Sequence, residues 1–151
     1  MKISTKGRYA LRLMLDLAVH DTGAAIPLKE VAARQEISVK YLEQIVTQLS
    51  RGGLVRSARG AVGGYFLARK PEEYTVGDIL RQLEGSLAPV QCADPCSPPC
   101  ERSDQCVTIE VWQKIEQAVA DVVDHITLAD LVRRYAEKTG QPAPPHDPES
   151  P

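Results

Sequence analysis

The 151-residue sequence lacks the features of an exported, membrane-spanning or catalytic protein. It has no signal-peptide pattern of a basic flank, an apolar run and a small-residue cleavage site, and no apolar stretch of about 18 residues to cross a bilayer. A phosphate-binding glycine loop is missing, and the three histidines, His20, His125 and His146, are scattered without a cysteine–histidine–acid set. We therefore expect a cytoplasmic protein that is not an enzyme, with no membrane partner and no evident small-molecule substrate.

Cysteine is absent from the sequence except in one short segment, which holds Cys92, Cys96, Cys100 and Cys106. The spacing is C-x3-C-x3-C-x5-C, with three prolines and no apolar run, so the segment can form neither a strand nor a helix. Because disulfides are disfavoured in the cytoplasm, a metal or cluster site is favoured over a thiol switch or incidental cysteines. Zinc also suits four thiolates and is the alternative metal.

Acidic and basic residues are divided unequally between the two halves of the chain. Residues 1–70 carry twelve Lys or Arg and five Asp or Glu, whereas residues 71–151 carry six and fifteen, which gives charges of +7 and −9. A basic half is the electrostatic footprint of a polyanion binder, and the acidic half would face away from phosphate. Charge alone leaves an ordinary division between two solvated surfaces equally open.

The apolar spacing predicts three helices in the basic half. The first begins after Ser4 or Thr5, and its stripe is Leu11, Met14, Leu15 and Ala18. Lys2, Lys6, Arg8 and Arg12 crowd its start, where cations oppose the macrodipole, so either a phosphate partner or a solvated face explains them. The second helix covers residues 27–35, with Pro27 at its first position. The third runs from a cap at Ser38 to about Arg51.

The second and third helices and their short turn form a helix-turn-helix pattern. The polar outer face of the third helix contains Val39, Lys40, Glu43, Gln44, Thr47 and Gln48. Its N-terminal part would enter a major groove, where Lys, Gln and Glu pair with base edges. Helix pairs of this kind also occur in proteins that never touch DNA, so the pattern needs support from the segment that follows.

A β-hairpin, or wing, is predicted after the helix pair, with strands over residues 54–58 and 65–68. The connection Arg59-Gly60-Ala61-Val62-Gly63-Gly64 places Arg59 at the tip beside Gly60. An arginine so placed can enter a narrow minor groove, where the potential is most negative. The alternative is an exposed turn arginine next to a glycine that supplies φ > 0. The helix pair upstream favours the DNA interpretation.

The acidic half is predicted to contain a short helix, the cysteine segment and two further helices. Thr75-Val76-Gly77-Asp78 forms a capping-box-like start for the short helix, which ends at Gly85. Beyond the cysteines, a long apolar stripe consists of Val111, Trp112, Ile115, Val119, Val122, Val123 and Ile126. An exposed stripe of this size usually finds a partner, and a two-fold homodimer is the commonest closure. A last helix begins at the box around Thr127, and a proline-rich disordered tail follows over residues 139–151.

Several motifs along the chain match one family. They are residues 1–10 (MKISTKGRYA), Tyr41-Leu42-Glu43-Gln44, the wing residues 53–65, Gly77-Asp78-Ile79, the cysteine segment, Cys106-Val107-Thr108 and Ile126-Thr127-Leu128-Ala129-Asp130-Leu131. This pattern resembles that of the IscR-like winged helix-turn-helix regulators, the family of the iron–sulfur cluster assembly repressor, from residue 1 to about 138. The resemblance implies a homodimeric transcription regulator, usually a repressor, whose long helices cross at the two-fold axis.

The resemblance also implies where double-stranded operator DNA and the cluster bind. The third helix would enter the major groove, Arg59 would reach the minor groove, and the loop cysteines would hold an iron–sulfur cluster. The DNA-binding set that we predict is Lys2, Ser38, Val39, Lys40, Tyr41, Glu43, Gln44, Arg56, Arg59 and Gly60. The expected organisation is a winged helix-turn-helix domain over 1–85, a cluster-binding loop over 86–106, dimerisation helices over 107–138 and the tail, in a mostly α fold with a small β-hairpin wing.

The sequence departs from the family pattern in its cluster ligands. Typical members show C-x5-C-x5-C followed, after two intervening residues, by a histidine, whereas here only Cys100 and Cys106 fit and Ile109 stands at the histidine position. Nitric oxide-sensing members use an acidic residue near the N-terminus, where this chain has Arg8. The hypothesis is therefore an all-cysteine cluster on the four thiolates. The ligand count suits [2Fe–2S] and [4Fe–4S] equally, and we favour [2Fe–2S].

The predicted function is an iron–sulfur cluster-sensing transcriptional repressor of cluster-assembly, cysteine and sulfur, or redox-stress genes. The alternative is a cluster-free or zinc-stapled regulator of cysteine metabolism or of redox or nitric oxide stress. It would act through its thiols or a partner protein. The cysteine-metabolism branch of the family shares a similar N-terminus but has no cysteine loop, so the loop argues against this alternative.

Overall fold

The computed structural model describes residues 2–142 and 144. The described part contains six helices, α1 Thr5–Val19, α2 Leu28–Gln35, α3 Val39–Arg51, α4 Val76–Glu84, α5 Ile109–Val123 and α6 Leu128–Thr139. It also contains one antiparallel hairpin of β1 Val55–Ala58 and β2 Gly64–Leu67, and 3₁₀ turns at Pro71–Glu73 and Gln91–Ala93. The predicted mostly helical fold with a hairpin wing is therefore confirmed. None of these helices is both long and apolar enough to cross a bilayer.

Side-chain caps fix the helix starts where the sequence predicted them. Ser4 Oγ accepts a hydrogen bond from Gly7 N, and Ser38 Oγ accepts one from Tyr41 N. Reciprocal capping boxes begin α4 and α6, at Thr75 with Asp78 and at Thr127 with Asp130. Each cap satisfies backbone N–H groups that have no partner inside the helix.

Other boundaries differ slightly from the predictions. Pro27 is the N-cap of α2 rather than its first helical residue, and Glu36 ends that helix in the left-handed conformation at φ 54°. Strand β1 begins one residue late because Leu54 N bonds back to Leu49 O at the end of α3. Helix α6 extends to Thr139, which is the first residue of the predicted tail. The tail prediction otherwise falls largely outside the described residues, which omit 143 and 145–151.

The main hydrophobic core is built around α1. Leu13, Met14 and Leu17 are fully or almost fully buried, whereas Leu11 and Leu15 lie at the core's edge, so the buried stripe is rotated from the one predicted. Helices α3, α4 and α6 and the wing complete this core with Leu42, Ile45, Leu49, Ile79, Leu128, Val132, Leu54 and Val55. Helix α6 therefore packs with the helix-turn-helix unit. Burial of each large apolar side chain contributes about 1.5–3 kcal/mol.

A buried carboxylate fastens the helix-turn-helix to α1. Asp16 is 2% exposed, and Arg34 Nη2 and Gln35 Nε2 donate to its two oxygens at 2.7 and 2.8 Å. The hydrogen bond to Asp16 raises the pKa of Arg34 above its usual range. Gln35 in turn accepts from Arg12 Nε at 3.0 Å. These contacts hold the last turn of α2 against α1 at the point where the chain enters the turn before α3.

A second buried polar group connects the wing to α4 and α6. The fully buried Tyr74 donates its hydroxyl to Leu54 O at 2.7 Å and accepts from Arg69 N at 2.8 Å. Its backbone carbonyl accepts from Leu128 N, at the start of α6. Burial raises the pKa of Tyr74, so the phenol stays protonated and able to donate. The base of the wing is thereby tied to both helices.

The long stripe on α5 does not form one face. Val119 and Val123 pack inward against a small cluster of Val76, Leu80 and Leu87. Ile126 lies beyond the end of α5, contrary to the prediction that it continues the helical stripe. The residues that remain on the outer side follow i, i+4, i+7 and i+11 spacing and are Val111, Ile115, Ala118 and Val122. Val111 and Val122 are 50% and 57% exposed.

We predict that Asp16→Asn lowers the free energy of unfolding by about 2–4 kcal/mol, because Arg34 loses its closer ionic partner and keeps only Glu30 at 3.6 Å. In addition, the new side-chain amide places its N–H donors against the donors that the carboxylate accepted. Urea denaturation followed by circular dichroism, with metal-free protein at fixed concentration, measures the change. Asp121→Asn on the exposed side of α5 is the control, with a change within about 0.5 kcal/mol. Equal stability of the Asp16 variant and the wild type would contradict the role assigned to this carboxylate.

Candidate nucleic-acid interface and cysteine loop

The N-terminal half of α3 presents most of its predicted contact residues to solvent. Ser38, Val39, Lys40, Glu43 and Gln44 are all exposed. They occupy the side of the helix opposite Leu42, Ile45, Val46 and Leu49, which are buried in the core. The helix therefore has one apolar face that fixes it and one polar face that is available to a partner.

Two α3 residues, Tyr41 of the predicted DNA-binding set and Gln48 of the predicted outer face, have additional contacts with the protein. Tyr41 is half-buried, and its ring meets that of Tyr9 edge-on at 5.8 Å between centroids. Arg12 lies 5.3 Å from the centroid of the same Tyr9 ring. Gln48 is half-buried near α4, where Gln82 Nε2 donates to its backbone carbonyl at 3.0 Å. The prediction that Gln48 lies on the solvated outer face is therefore wrong.

The wing holds Arg59 and Gly60 in the exposed turn after β1. Gly60 has φ +129°, a conformation that L residues rarely adopt. Arg56 is exposed on β1, where it pairs with Phe66 across the hairpin. At the other end of the turn, a Cβ on Gly64 would collide with the backbone of Ile26, which exchanges two hydrogen bonds with Tyr65. This close approach docks the wing against the segment that leads into α2.

The basic side chains of the N-terminal half fall into two groups. Arg34 forms an ion pair with the buried Asp16, whereas Arg12 is exposed, as predicted for a solvated face, and hydrogen-bonds to the neutral Gln35. The predicted contact cations Lys2, Lys40, Arg56 and Arg59 are also exposed. Within residues 2–142 and 144, none of these four forms an ion pair. Their charge is available to an external polyanion.

The N-terminal arm before α1 is held by a residue 80 positions away. Ser4 donates from both its N–H and its hydroxyl to Glu84 Oε1, at the end of α4. Lys2, a predicted contact residue, lies two residues before this anchor and is exposed. Sequence reasoning missed Glu84, since no local pattern indicates so distant a partner. The glycine in the first turn of α1, Gly7, was the available signal, because a glycine inside a helix often marks a close approach.

The cysteine loop begins as a 3₁₀ turn against α5 and continues as a series of tight turns. All four cysteines are free, with Cys92 and Cys96 exposed and Cys100 and Cys106 half-buried. In the described residues, no three His, Cys, Asp or Glu side chains are grouped closely enough to hold a metal ion. The predicted ligands therefore share one loop but do not converge in this conformation.

The chemistry of the donor set nevertheless fits an iron–sulfur cluster. Four thiols lie on fifteen consecutive residues, and the backbone hydrogen bonds that begin at Ser97, Ser103, Gln105 and Ile109 each reach back only three residues. Such local turns can rearrange without disturbing the core. The Thr108 hydroxyl, 3.3 Å from Cys106 Sγ, holds the pKa of that thiol below its usual value. A lowered pKa favours the thiolate, which is the form that ligates metals.

Comparison with known proteins identifies similar chains over most of this sequence. A family named Rrf2 and described as "Iron-dependent Transcriptional regulator" matches residues 3–134. Protein rrf2 of Nitratidesulfovibrio vulgaris is 42% identical over 133 residues, which cover 88% of each chain. The solved structure of T. potens IscR is 43% identical with a TM-score of 0.75, covering 92% of this chain and 91% of that one. The structure of CymR, the global cysteine regulator of B. subtilis, is 42% identical with a TM-score of 0.73, covering 89% and 98%.

Proposed function

The chain belongs to the Rrf2 family of transcriptional regulators, and from this premise we propose that it is a DNA-binding repressor that senses an iron–sulfur cluster. Its relatives are regulators, which confirms that the chain is not an enzyme. The observation that carries the proposal is the combination of two features. Four free cysteines lie in a single loop, and that loop connects a winged helix-turn-helix unit to a helix with an exposed apolar face.

DNA binding is supported by the distribution of charge and exposure. The polar side of α3, the turn of the wing and the N-terminal arm each present a cation, at Lys40, Arg59 and Lys2, that forms no ion pair with the described residues. In the proposed complex, α3 enters the major groove and Arg59 enters the minor groove. Phosphate contacts from the cations position the protein, while Glu43, Gln44 and their neighbours contact base edges. The acidic half faces away from the DNA.

Homodimerisation is supported by the outer face of α5. Val111 and Val122 are about half exposed at the two ends of a stripe that also contains Ile115 and Ala118. A second copy of the same helix would cover this face through a two-fold axis, which is the commonest closure for soluble oligomers. Two recognition helices related by such an axis would address two half-sites, about 34–36 Å apart when they are separated by one turn of duplex.

The cluster would be held by Cys92, Cys96, Cys100 and Cys106, and we take [2Fe–2S] as the expected form over [4Fe–4S]. When bound, the cluster supplies redox and oxygen sensitivity. The chain supplies the thiolates and the connection between the loop and its two neighbouring helices. The hydrogen bonds within the loop are local, so cluster binding, which brings the four sulfurs to one centre, would order the loop. An ordered loop would restrain the end of α4 and the start of α5, which it connects.

A second candidate function is thiol-based or zinc-stapled regulation of cysteine or redox-stress genes. It is favoured by the same free and partly exposed thiols, and by the lowered pKa of Cys106, which increases reactivity toward oxidants. The likeness to CymR points in the same direction. Metal content and absorbance of anaerobically purified protein separate these candidates, because zinc and reduced thiols are colourless.

We predict that Arg59→Ala weakens binding to a duplex selected by the wild-type protein from a random library. The loss arises from one cationic contact, so the slope of log affinity against log salt should fall by about 1. Fluorescence anisotropy at several salt concentrations measures both quantities. Arg134→Ala, which removes an exposed arginine paired with Glu137 on α6, should leave both unchanged. An unaltered slope for Arg59→Ala would remove this residue from the interface.

Each of the four Cys→Ser variants is predicted to lose or alter the cluster after anaerobic reconstitution with iron and sulfide, because serine is a poor ligand for iron. Absorbance and Mössbauer spectra give the cluster type, and anisotropy gives the affinity of the loaded and cluster-free forms for the selected duplex. Ser103→Ala in the same loop is the control and should retain the spectrum. Unchanged spectra in all four cysteine variants, or a wild type that takes up no cluster, would refute the assignment.

Ala118→Glu is predicted to convert the protein to a monomer, because it places a carboxylate in the middle of the outer stripe of α5, opposite its own copy. Light scattering after size exclusion measures the mass, and anisotropy should show weaker binding to a duplex with two half-sites. Gln113→Glu adds the same charge at an exposed position on another side of α5 and should remain dimeric. A monomeric wild type would contradict the proposed interface.

A further inference from the structure

The last turn of α4 contacts three separate elements of the protein. Glu84 accepts from Ser4 in the N-terminal arm, and Gln82 donates to the carbonyl of Gln48 near the end of α3. Arg81 forms a bidentate ion pair with Asp124 at the end of α5, and this pair lowers the pKa of Asp124. The cysteine loop begins directly after this turn. The last turn of α4 is therefore bonded to the N-terminal arm, to α3 and to the end of α5.

The first turn of α1 leaves space for the contact between Glu84 and the N-terminal arm. One carboxylate oxygen receives both the N–H and the hydroxyl of Ser4, and the same hydroxyl oxygen accepts from Gly7 N at 3.1 Å. Gly7 is buried, and a Cβ at this position would collide with Glu84 Oε1. A carboxylate at a helix N-terminus also interacts favourably with the macrodipole. Glu84 therefore acts as an external cap for α1.

The entrance to the cysteine loop lies close to the same arm. Leu87, two residues after the C-cap Gly85, is 7% exposed and packs with Val76 and Leu80. Ile3, between Lys2 and Ser4, packs against this small cluster, as do Val119 and Val123 of α5. The arm is thus connected to the loop twice, through the polar contact of Glu84 and through the apolar contact of Ile3.

We propose that Glu84 is a positioning residue that transmits the state of the cysteine loop to the N-terminal arm, and so to Lys2 on the DNA. This inference rests on the proposed function, and it identifies the arm as the element that the loop controls. Ordering the loop fixes the end of α4. Glu84 then holds Ser4 and the residues before it in a fixed position relative to α1. Release of the loop lets Glu84 shift, and the arm with its cation loses its fixed position.

The test uses full-length Glu84→Ala, Glu84→Gln and Gly7→Ala proteins. Glu84→Ala removes the acceptor, while Glu84→Gln removes the charge but keeps an oxygen that can accept both hydrogen bonds. Gly7→Ala displaces the carboxylate without removing it, and alanine is a better helix former than glycine. Glu137→Ala on the exposed surface of α6 is the control for loss of one negative charge. Affinity for the selected duplex is measured with and without the reconstituted cluster.

We expect the affinities of the loaded and cluster-free wild type to differ by about five-fold or more, the lower end of typical coupling between sites. In Glu84→Ala and Gly7→Ala, the ratio of the loaded to the cluster-free affinity should fall towards one. In Glu84→Gln and Glu137→Ala, this ratio should stay at its wild-type value. Hydrogen exchange of the cluster-loaded proteins without DNA provides a second measurement. The amides of residues 3–8 should exchange faster in Glu84→Ala and Gly7→Ala than in Glu84→Gln.

The outcomes separate this inference from the proposed function. One outcome is a wild-type affinity ratio of about five-fold or more that both Glu84→Ala and Gly7→Ala retain. That result would support the proposed cluster-sensing function and overturn the role of Glu84. Tighter DNA binding by Glu84→Gln would also overturn it, since that result assigns the carboxylate to repulsion of phosphate. A wild-type ratio of one would overturn both proposals, while unchanged exchange over residues 3–8 would overturn only the positioning role.

Discussion

The placement of the recognition helix depends on one buried carboxylate. Asp16 lies in the last turn of α1, the helix around which the core is built, and binds the last two residues of α2, Arg34 and Gln35. Gln35 then receives Arg12, whose guanidinium also lies near the ring of Tyr9, and Tyr9 contacts Tyr41 in the first turn of α3. A charge taken out of water must be fully paired, so this network has few alternative arrangements. The orientation of α3 relative to α1 is set as much by these polar contacts as by apolar packing.

Local signals in the sequence predicted the elements of the fold well. Ser4, Ser38, Thr75 and Thr127 cap helices as expected, because a cap requires only residues that are close in sequence. Apolar periodicity located the helices, but it placed the buried stripe of α1 on Leu11 and Leu15 rather than on Leu13 and Leu17. A helix that is covered on several sides is apolar around much of its circumference, and periodicity then does not define one direction.

The candidate site was less predictable, for a physical reason that differs between its two parts. Basic residues of the N-terminal half look alike in a sequence, yet Arg34 forms an ion pair with the buried Asp16 while Arg59 has no ion pair among the described residues. Only the fold shows which cations already have a partner. In the cysteine loop, the spacing identified the donors but not their geometry, because turns rich in proline and short in apolar contacts have many conformations of similar energy. The sequence therefore identifies the four thiols as a candidate ligand set, although they are not grouped together in this structure.

The position of the loop explains how a local change in ligation could affect distant contacts. If the loop were connected to the rest of the protein only through the backbone, a change in its ligation would not reach the N-terminal arm or α5. Here the start of the loop is fastened to two neighbours, since Leu87 enters a small apolar cluster with Ile3 and Val119, and Arg81 in the preceding helix pairs with Asp124 at the end of α5. Within the part of the chain that the structure describes, this cluster is separate from the main core, and Leu11 and Leu131 pack against both. A displacement at the loop can therefore be taken up by the arm, α4 and α5 while the core around Asp16 remains intact, which is the mechanical requirement for a regulator that changes its contacts without unfolding.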